Sequence, residues 1–231
     1  MTRIVTIALA IAVPVVAQTL AAQTLNDTFD RMDKAAAQLK SITAGINRDV
    51  HTAIINDDEI DKGTFHMKRE KSHGVLMLIE FTGAAARHVA LDDSTVTVYN
   101  PKINNAQVFE IGAKKQMVEQ FLLLGFGATS AELKQSYDVS WVGTEAVDGQ
   151  QTGHLKLVPK APDASQKMSG AELWISASSA SNGLPVQQKI LFTNGDYWVV
   201  KYSDIRMNPR VSDDTFKLKL PKGVQIDHPR F

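Results

Sequence analysis

The sequence contains side chains that bind metals and carry out acid–base chemistry, but not at the spacings that such sites need. A zinc site draws histidines from closely spaced positions, such as two histidines four residues apart on one helix. The six histidines are spread along the chain without such a pair: His51, His66, His73, His88, His154 and His228. His66 and His73 flank one expected turn, and we interpret them as a solvated pair. The sequence therefore predicts no metal site.

Four carboxylates lie close together at Asp57, Asp58, Glu59 and Asp61. A calcium loop of the EF-hand type also needs a glycine at its sixth position and a closing glutamate at its twelfth. No register of this segment supplies both. We expect these carboxylates to form a solvated turn between two strands.

Motifs for covalent catalysis and nucleotide binding are absent from the sequence. There is no cysteine to supply a thiolate, no Gly-x-Ser-x-Gly elbow, and no glycine-rich loop followed by Lys-Ser or Lys-Thr. Gly125-Phe126-Gly127 follows an expected helix rather than a strand, which argues against a phosphate-binding loop. We predict a protein that is not an enzyme and needs no cofactor.

Charge balance restricts the classes of partner. The 231 residues include 25 Lys and Arg and 25 Asp and Glu, so no excess of positive charge is available for nucleic acid or for anionic headgroups. Contact with lipid is then expected through apolar surface in an interior cavity.

The N-terminal residues 1–23 have the pattern of a signal peptide: Arg3, an apolar run over 4–16, and small or polar residues after it. The run is too short to span a bilayer and contains Pro14. Cleavage is expected after Ala17 or within 21–23. We predict export to the periplasm and a single mature domain over 24–231.

Two segments have helical periodicity. In 25–46 apolar residues recur every three or four positions, which predicts one amphipathic helix with Gly45 near its end. Segment 114–126 is apolar on nearly all sides. It is either a buried core helix or a lid whose inner face contacts a ligand.

The rest of the chain alternates with a period of two and is interrupted by turn residues. Strands are predicted at 64–68, 75–81, 89–99, 106–111, 137–143, 151–158, 171–176, 184–192 and 198–207, with an extended run over 215–226. Short connections require antiparallel neighbours. The predicted fold class is α+β and mainly β: a curved antiparallel sheet with helices over one face and an apolar cavity between them.

Several short motifs occur in a characteristic order. They are Gly63 to Arg69, Val98-Tyr99-Asn100-Pro101, Glu172-Leu173-Trp174-Ile175, Gly183-Leu184-Pro185-Val186, Phe216, and Leu220 to Val224. In this order they resemble the periplasmic lipoprotein carrier (LolA) family and its lipoprotein-sorting relatives. The resemblance covers nearly the whole mature chain. It implies an incomplete β-barrel, closed on one side by a helical lid, whose interior accepts acyl chains.

The resemblance also implies a role for Arg69, because an arginine at the end of the early strand holds the lid shut in that family. Its guanidinium offers five donors in a fixed geometry, which suits several carbonyl groups at once. The alternative is an exposed Lys68-Arg69 pair. This chain has Glu70 where the family commonly has proline.

We expect the wall and roof of the cavity to consist of apolar strand and helix residues. These are Phe65, Met67, Val75, Met77, Ile79 and Val98 on strands, with Leu39, Met117, Phe121 and Leu124 on helices. Each of them is alternatively ordinary core.

Three functions are compatible with these expectations. The first is a monomeric carrier of acylated lipoproteins or lipids, which by resemblance receives them from an inner-membrane donor complex and passes them to an outer-membrane acceptor. The second is a lipoprotein-sensing regulatory module, and the third a structural envelope protein. No nucleic acid is expected as a partner.

Overall fold

A computed structural model describes residues 25–70, 74–83, 86–92, 94–161 and 167–229. For residues 113, 116, 117, 120 and 122 it describes the backbone alone. The predicted signal peptide lies outside the described residues, as does His73. The division into signal peptide and one mature domain stays a prediction.

Three helices are described: α1 (Leu25–Gln38), α2 (Lys115–Leu122) and α3 (Ser130–Ser136). α1 buries Phe29, Met32 and Ala36 on one side, at the spacing that the sequence predicts. None of the helices in the described ranges is long and apolar enough to cross a membrane.

The predicted extension of the first helix to residue 46 is wrong, because β1 (Ser41–Thr52) begins there. Ile42 and Ile46 are both buried, and their separation of four residues fits a helix and an alternating strand equally. Ala44 between them is buried too, which is the period of a strand. The second predicted helix also ends early, at Leu122.

All described strands belong to one sheet in the order β12-β6-β5-β4-β3-β2-β1-β11-β10-β9-β8-β7. Every pair among them is antiparallel except β12 with β6. The sheet does not close, because β12 and β7 lie at opposite edges. The strands after β1 are β2 (Asp57–Arg69), β3 (Val75–Thr82), β4 (Arg87–Leu91), β5 (Thr95–Asn100), β6 (Asn105–Glu110), β7 (Tyr137–Val147), β8 (Gln150–Pro159), β9 (Met168–Ser176), β10 (Pro185–Phe192), β11 (Tyr197–Met207) and β12 (Gln225–Asp227).

Two predicted strand boundaries are wrong. The run 89–99 is divided into β4 and β5 by a turn in which Asp92 Oδ1 accepts hydrogen bonds from the backbone N of Ser94 (2.9 Å) and Thr95 (2.8 Å). β2 begins at Asp57, so the acidic cluster is part of a strand rather than a turn. Turn chemistry at Asp92 is visible in the sequence, whereas the acidic start of β2 has low strand propensity.

The C-terminal segment lies against the outer face of the sheet. The predicted extended run 215–226 is wrong over most of its length, since Asp213–Phe216 is a 3-10 turn and only Gln225–Asp227 is a strand among these described residues. Phe216 packs on Leu78 and Ala90. β3 is therefore covered on both faces, which explains its continuous apolar sequence.

The helices cover the other face of the sheet, and the core lies between them in two main clusters. One joins Leu39 and Phe126 to β1, β2 and β3, and the second joins Phe29 and Met32 to β8 and β9. This open, curved antiparallel sheet with helices on one face confirms the predicted fold class.

Candidate functional site

The loop between α2 and α3, residues 123–129, is held against the sheet by Arg69 at the end of β2. Arg69 Nη2 donates a hydrogen bond to the carbonyl oxygen of Gly127, and Nη1 donates to that of Ala36 in α1 at 3.3 Å. We call these two bonds the Arg69 latch. They connect one strand to the last turns of α1 and to the loop. The gating role itself stays a prediction.

Gly127 has a backbone conformation and surroundings that fit this latch. Its φ is +71°, in the left-handed region where a side chain is strained. A Cβ at this position would come within 2.5 Å of Arg69 Nη2 and 2.8 Å of Leu39 Cδ2. Only glycine lets the loop approach the guanidinium this closely.

A second polar group holds the loop from the opposite side. Gln188 in β10 donates a hydrogen bond from Nε2 to the carbonyl oxygen of Leu124, and its Oε1 accepts one from the Tyr202 hydroxyl at 3.1 Å. Gln188 is 3% exposed and Tyr202 is 8% exposed. Burial raises the pKa of Tyr202, so this hydroxyl remains a donor at neutral pH.

Phe126 anchors the middle of the loop in the core. Its ring lies edge-on to Tyr202 with 4.7 Å between ring centres, and 5.2 Å from the ring of Phe65. The residue is 2% exposed. Aromatic contacts of this kind add about 0.5–1.5 kcal/mol to the burial of the ring. The loop is therefore fixed by one apolar anchor between two polar ones.

The start of α3 is joined to α1. Thr129 and Glu132 form a capping box, and Asp33 of α1 accepts hydrogen bonds from Ser130 N (2.6 Å) and Ser130 Oγ (2.8 Å). These bonds satisfy backbone donors that a helix start leaves open. They tie α3 and the end of the loop to α1.

A cleft of about 380 Å³ opens beside the latch. We call it the Arg69 cleft. Its volume is within the range of small-molecule sites, roughly 300–1,000 Å³. Most of its lining is apolar or backbone, with three carboxylates among the side chains. The lining residues are Arg69, Glu70, Gly74, Val75, Glu119, Leu123, Leu124, Gly125, Phe126, Gly127, Ala128, Glu132, Leu133, Ser136 and Tyr137.

The predicted cavity residues differ in burial and in whether they line the Arg69 cleft. Leu39, Phe65, Met67 and Met77 are at most 4% exposed and fill the interior beneath the loop, while Val75, Ile79 and Val98 pack against that cluster and are partly exposed. Of the predicted set, Val75 and Leu124 line the Arg69 cleft. Phe121 packs beside Leu124 in the neighbouring cluster, and the side chain of Met117 lies outside the described residues.

Sequence reasoning missed Gln188, Tyr202 and Phe126. A glutamine whose side chain points inward from a strand has to find a buried hydrogen-bond partner. The alternation of residues in β10 places Gln188 on the inward face, so the sequence could have predicted this role. The capping box of α3 is also visible in the sequence as Thr129-x-x-Glu132. Phe126 was expected at the end of the apolar helical segment 114–126, whereas it lies in the loop that follows α2.

A buried ion pair lies on the same face of the sheet as the cavity residues, nearer the other end of β2. Arg48 is 8% exposed and Asp61 is 1% exposed, and the guanidinium donates to the Asp61 carboxylate through Nε at 3.1 Å and through Nη2. Arg48 also lies over the rings of Phe81 (4.4 Å) and Trp198 (5.1 Å). Burial lowers the pKa of Arg48. Asp61 is thus a core residue, and its assignment to a solvated turn is wrong.

No group of three or more metal-binding side chains occurs among the described residues. His51, His88 and His154 instead each lie within 3.2 Å of a carboxylate oxygen. His154 Nε2 lies 2.8 Å from Glu172 Oε2 and its ring stacks on Trp174.

No curated protein matches this sequence. Solved structures with similar folds include MucB, with 16% identity, a TM-score of 0.53, and coverage of 87% of this chain and 64% of MucB. An uncharacterized conserved protein from Thermus thermophilus is 12% identical, with a TM-score of 0.52 and coverage of 88% and 98%. A LolA superfamily protein from Nitrosomonas europaea is 12% identical, with a TM-score of 0.44 and coverage of 84% and 98%.

At these identities the likeness concerns the fold alone, and the chain spans less than two thirds of the length of MucB. A family model described as "Predicted periplasmic protein (DUF2092)" matches residues 21–227. This match confirms the predicted periplasmic location, and the chain belongs to the DUF2092 family of periplasmic proteins.

Proposed function

We propose that this protein is a non-enzymatic periplasmic carrier that binds the acyl chains of lipids or lipoproteins under the 123–129 loop and transports them toward the outer membrane. The observation that carries the proposal is the Arg69 latch, which fastens a loop over an apolar cleft by two hydrogen bonds to backbone carbonyls. Arg69 itself is exposed, so water can replace these bonds when the loop lifts.

The volume of the Arg69 cleft is too small for a long acyl chain unless the loop opens. A cleft of 380 Å³ holds roughly a dozen water-sized groups, and a methylene group is of similar size. A 16-carbon chain that leaves a membrane needs about 12 kcal/mol of new apolar contact, at about 0.8 kcal/mol per methylene. Displacement of Phe126 from the core would add the partly exposed side chains of Ile79 and Val98 to the contact area.

The carrier proposal is tested by native mass spectrometry and lipid extraction on the mature protein purified from the periplasm. Arg69→Leu is the test variant, and Arg206→Leu, on an exposed position of β11, is the matched control. We expect acyl lipids or acylated peptides on the wild type and on Arg206→Leu, and altered retention on Arg69→Leu. Absence of acyl ligand from all three proteins would refute the proposal.

A second candidate function is a regulatory module that docks a protein partner, and one surface feature favours it. The tip of the β1–β2 hairpin presents Ile54 at 91% and Ile55 at 67% exposure, at turn positions where glycine, asparagine and aspartate are usual. MucB, which is similar in fold, has been solved in complex with MucA. The double variant Ile54→Ser/Ile55→Ser distinguishes the two functions. It should retain acyl ligand in either case. It should fail to restore the wild-type phenotype in a deletion strain only if the tip docks a partner.

A further inference from the structure

The outer face of the sheet has an apolar cleft of its own, beneath the C-terminal segment. We call residues 216–220 the strap, which packs on the outer side of β3 and β4 through Phe216 and Leu218. A cleft of about 530 Å³ lies between the strap and strands β3 to β6, and we call it the strap cleft. It is larger than the Arg69 cleft and also within the range of small-molecule sites. Its apolar lining includes Leu76, Ala90, Val108, Phe216, Leu218 and Leu220.

The strap is held by side chains rather than by its backbone. Phe216 is buried, Leu218 and Leu220 are half-buried, and Lys217 and Lys219 between them are exposed, which is the alternation of an extended chain with one face on the sheet. Among the described residues, no hydrogen bond between backbone groups involves 218–220. A further cleft of about 560 Å³ also borders the strap. The strap therefore has free space beside it, and a small shift of its side chains widens the strap cleft.

The charged side chains at the edge of the strap cleft already have partners within the protein. They are Glu70 and Asp213, which both pair with Lys68, then Lys217, which pairs with Asp214, and Asp92, which accepts the backbone hydrogen bonds of the β4–β5 turn. A charged head group gains little from groups that are already paired. The cleft therefore suits an uncharged apolar chain.

Both clefts lie against the beginning of β3. Val75 packs on the inner core cluster, whereas Leu76 packs on the outer cluster with Phe216, because successive side chains of a strand point to opposite faces. Glu70, Gly74 and Val75 line both clefts. The strap cleft is thus continuous, around this end of the sheet, with the cleft beneath the 123–129 loop.

We propose that the strap cleft binds an acyl chain, so that the protein holds two chains, one on each face of the sheet. This inference rests on the proposed acyl-binding function and specifies how many chains the protein takes up and where the second one lies. A volume of 530 Å³ holds roughly 18 water-sized groups, and a methylene group is of similar size. A 12-carbon chain therefore fits without displacement of Phe216.

The test counts bound chains by native mass spectrometry, with the mature protein freed of lipid and titrated with 1-dodecanoyl-lysophosphatidylcholine below its critical micelle concentration. Thr97→Trp, on a half-buried position of β5, places an indole in the strap cleft. Ser136→Trp, at the end of α3, does the same in the Arg69 cleft. Thr144→Trp, on an exposed position of β7, is the matched control.

We expect the wild type and Thr144→Trp to bind two ligand molecules at saturation, and Thr97→Trp and Ser136→Trp to bind one each. Val108→Trp narrows the strap cleft from the neighbouring strand β6, and it should also bind one, which separates a filled cleft from a folding defect at Thr97. A single ligand on the wild type, or two that persist in Thr97→Trp and Val108→Trp, would overturn the inference while leaving acyl binding intact. No ligand on the wild type would overturn the proposed function and the inference with it.

Discussion

Replacement of Arg69 by leucine tests the latch most directly. The change removes the hydrogen bonds to the carbonyl oxygens of Ala36 and Gly127 and leaves an apolar side chain of smaller reach. Because the guanidinium is exposed, we take the net value of a solvent-accessible hydrogen bond, about 0.5–1.5 kcal/mol each. The closed loop should lose about 1–3 kcal/mol of stability, which raises the open fraction roughly 5- to 150-fold.

Hydrogen exchange measured by mass spectrometry reports this opening. The amide of Phe126 donates to the carbonyl of Leu123 at 2.6 Å in the closed loop, so exchange in a peptide covering 123–129 depends on opening. In Arg69→Leu this peptide should exchange roughly 5- to 150-fold faster, with exchange in β9 (Met168–Ser176) unchanged. Arg206→Leu should match the wild type throughout.

Two results would refute the reasoning. Wild-type exchange in 123–129 of the Arg69→Leu variant would mean that Phe126 and Gln188 hold the loop without the arginine. Equal acceleration in the loop and in β9 would mean that Arg69 supports the whole fold rather than the loop. Arg69→Lys is an internal check, because an ammonium lacks the planar fork that reaches two carbonyls, and its exchange should be intermediate.

Three further changes have distinct expected outcomes. Gln188→Ala leaves the buried Leu124 carbonyl and the Tyr202 hydroxyl without their partner. The free energy of unfolding, measured by urea denaturation, should fall by about 2–5 kcal/mol. A decrease below about 1 kcal/mol would contradict the role of Gln188 in holding the loop. Arg48→Met removes two hydrogen bonds from the buried Asp61 carboxylate and leaves Arg87 Nη2, at 3.8 Å, as its ion-pair partner. It should destabilise by up to about 3–5 kcal/mol, and by more than the double variant Arg48→Met/Asp61→Leu. The raised pKa of Tyr202 stabilises the fold below about pH 10, the pKa of an unfolded tyrosine, and this stability is lost as pH rises further. In Tyr202→Phe the fall of unfolding free energy with pH above about 10 should therefore be less steep, by up to about 1.4 kcal/mol per pH unit, and an unchanged slope would contradict this.

The errors of sequence interpretation at β1 and β2 have one cause. Ile42 and Ile46 fit two periods, and only the antiparallel pairing of β1 with β2 and β11 selects the strand. The carboxylate of Asp61 looks solvated in sequence, since its partner Arg48 is 13 positions away. Both cases were decided by pairing across strands, which local periodicity does not contain.

Local sequence patterns were sufficient to predict the mainly β architecture and the antiparallel pairing of strands joined by short connections. They also predicted that Phe65 and Met67 point inward and that Arg69 lies at a strand end. These features depend on residues a few positions apart, and their physical basis is the period of the backbone itself.

Only the tertiary structure decided what Arg69 and Gln188 bind. Their partners are the carbonyl oxygens of Ala36, Gly127 and Leu124. Every residue carries a carbonyl group, so no side-chain pattern marks which one will face a guanidinium or an amide. The shape of the cleft was likewise decided by how α3 and the 123–129 loop meet the sheet, because apolar residues in a filled core and in a cavity wall have the same sequence pattern.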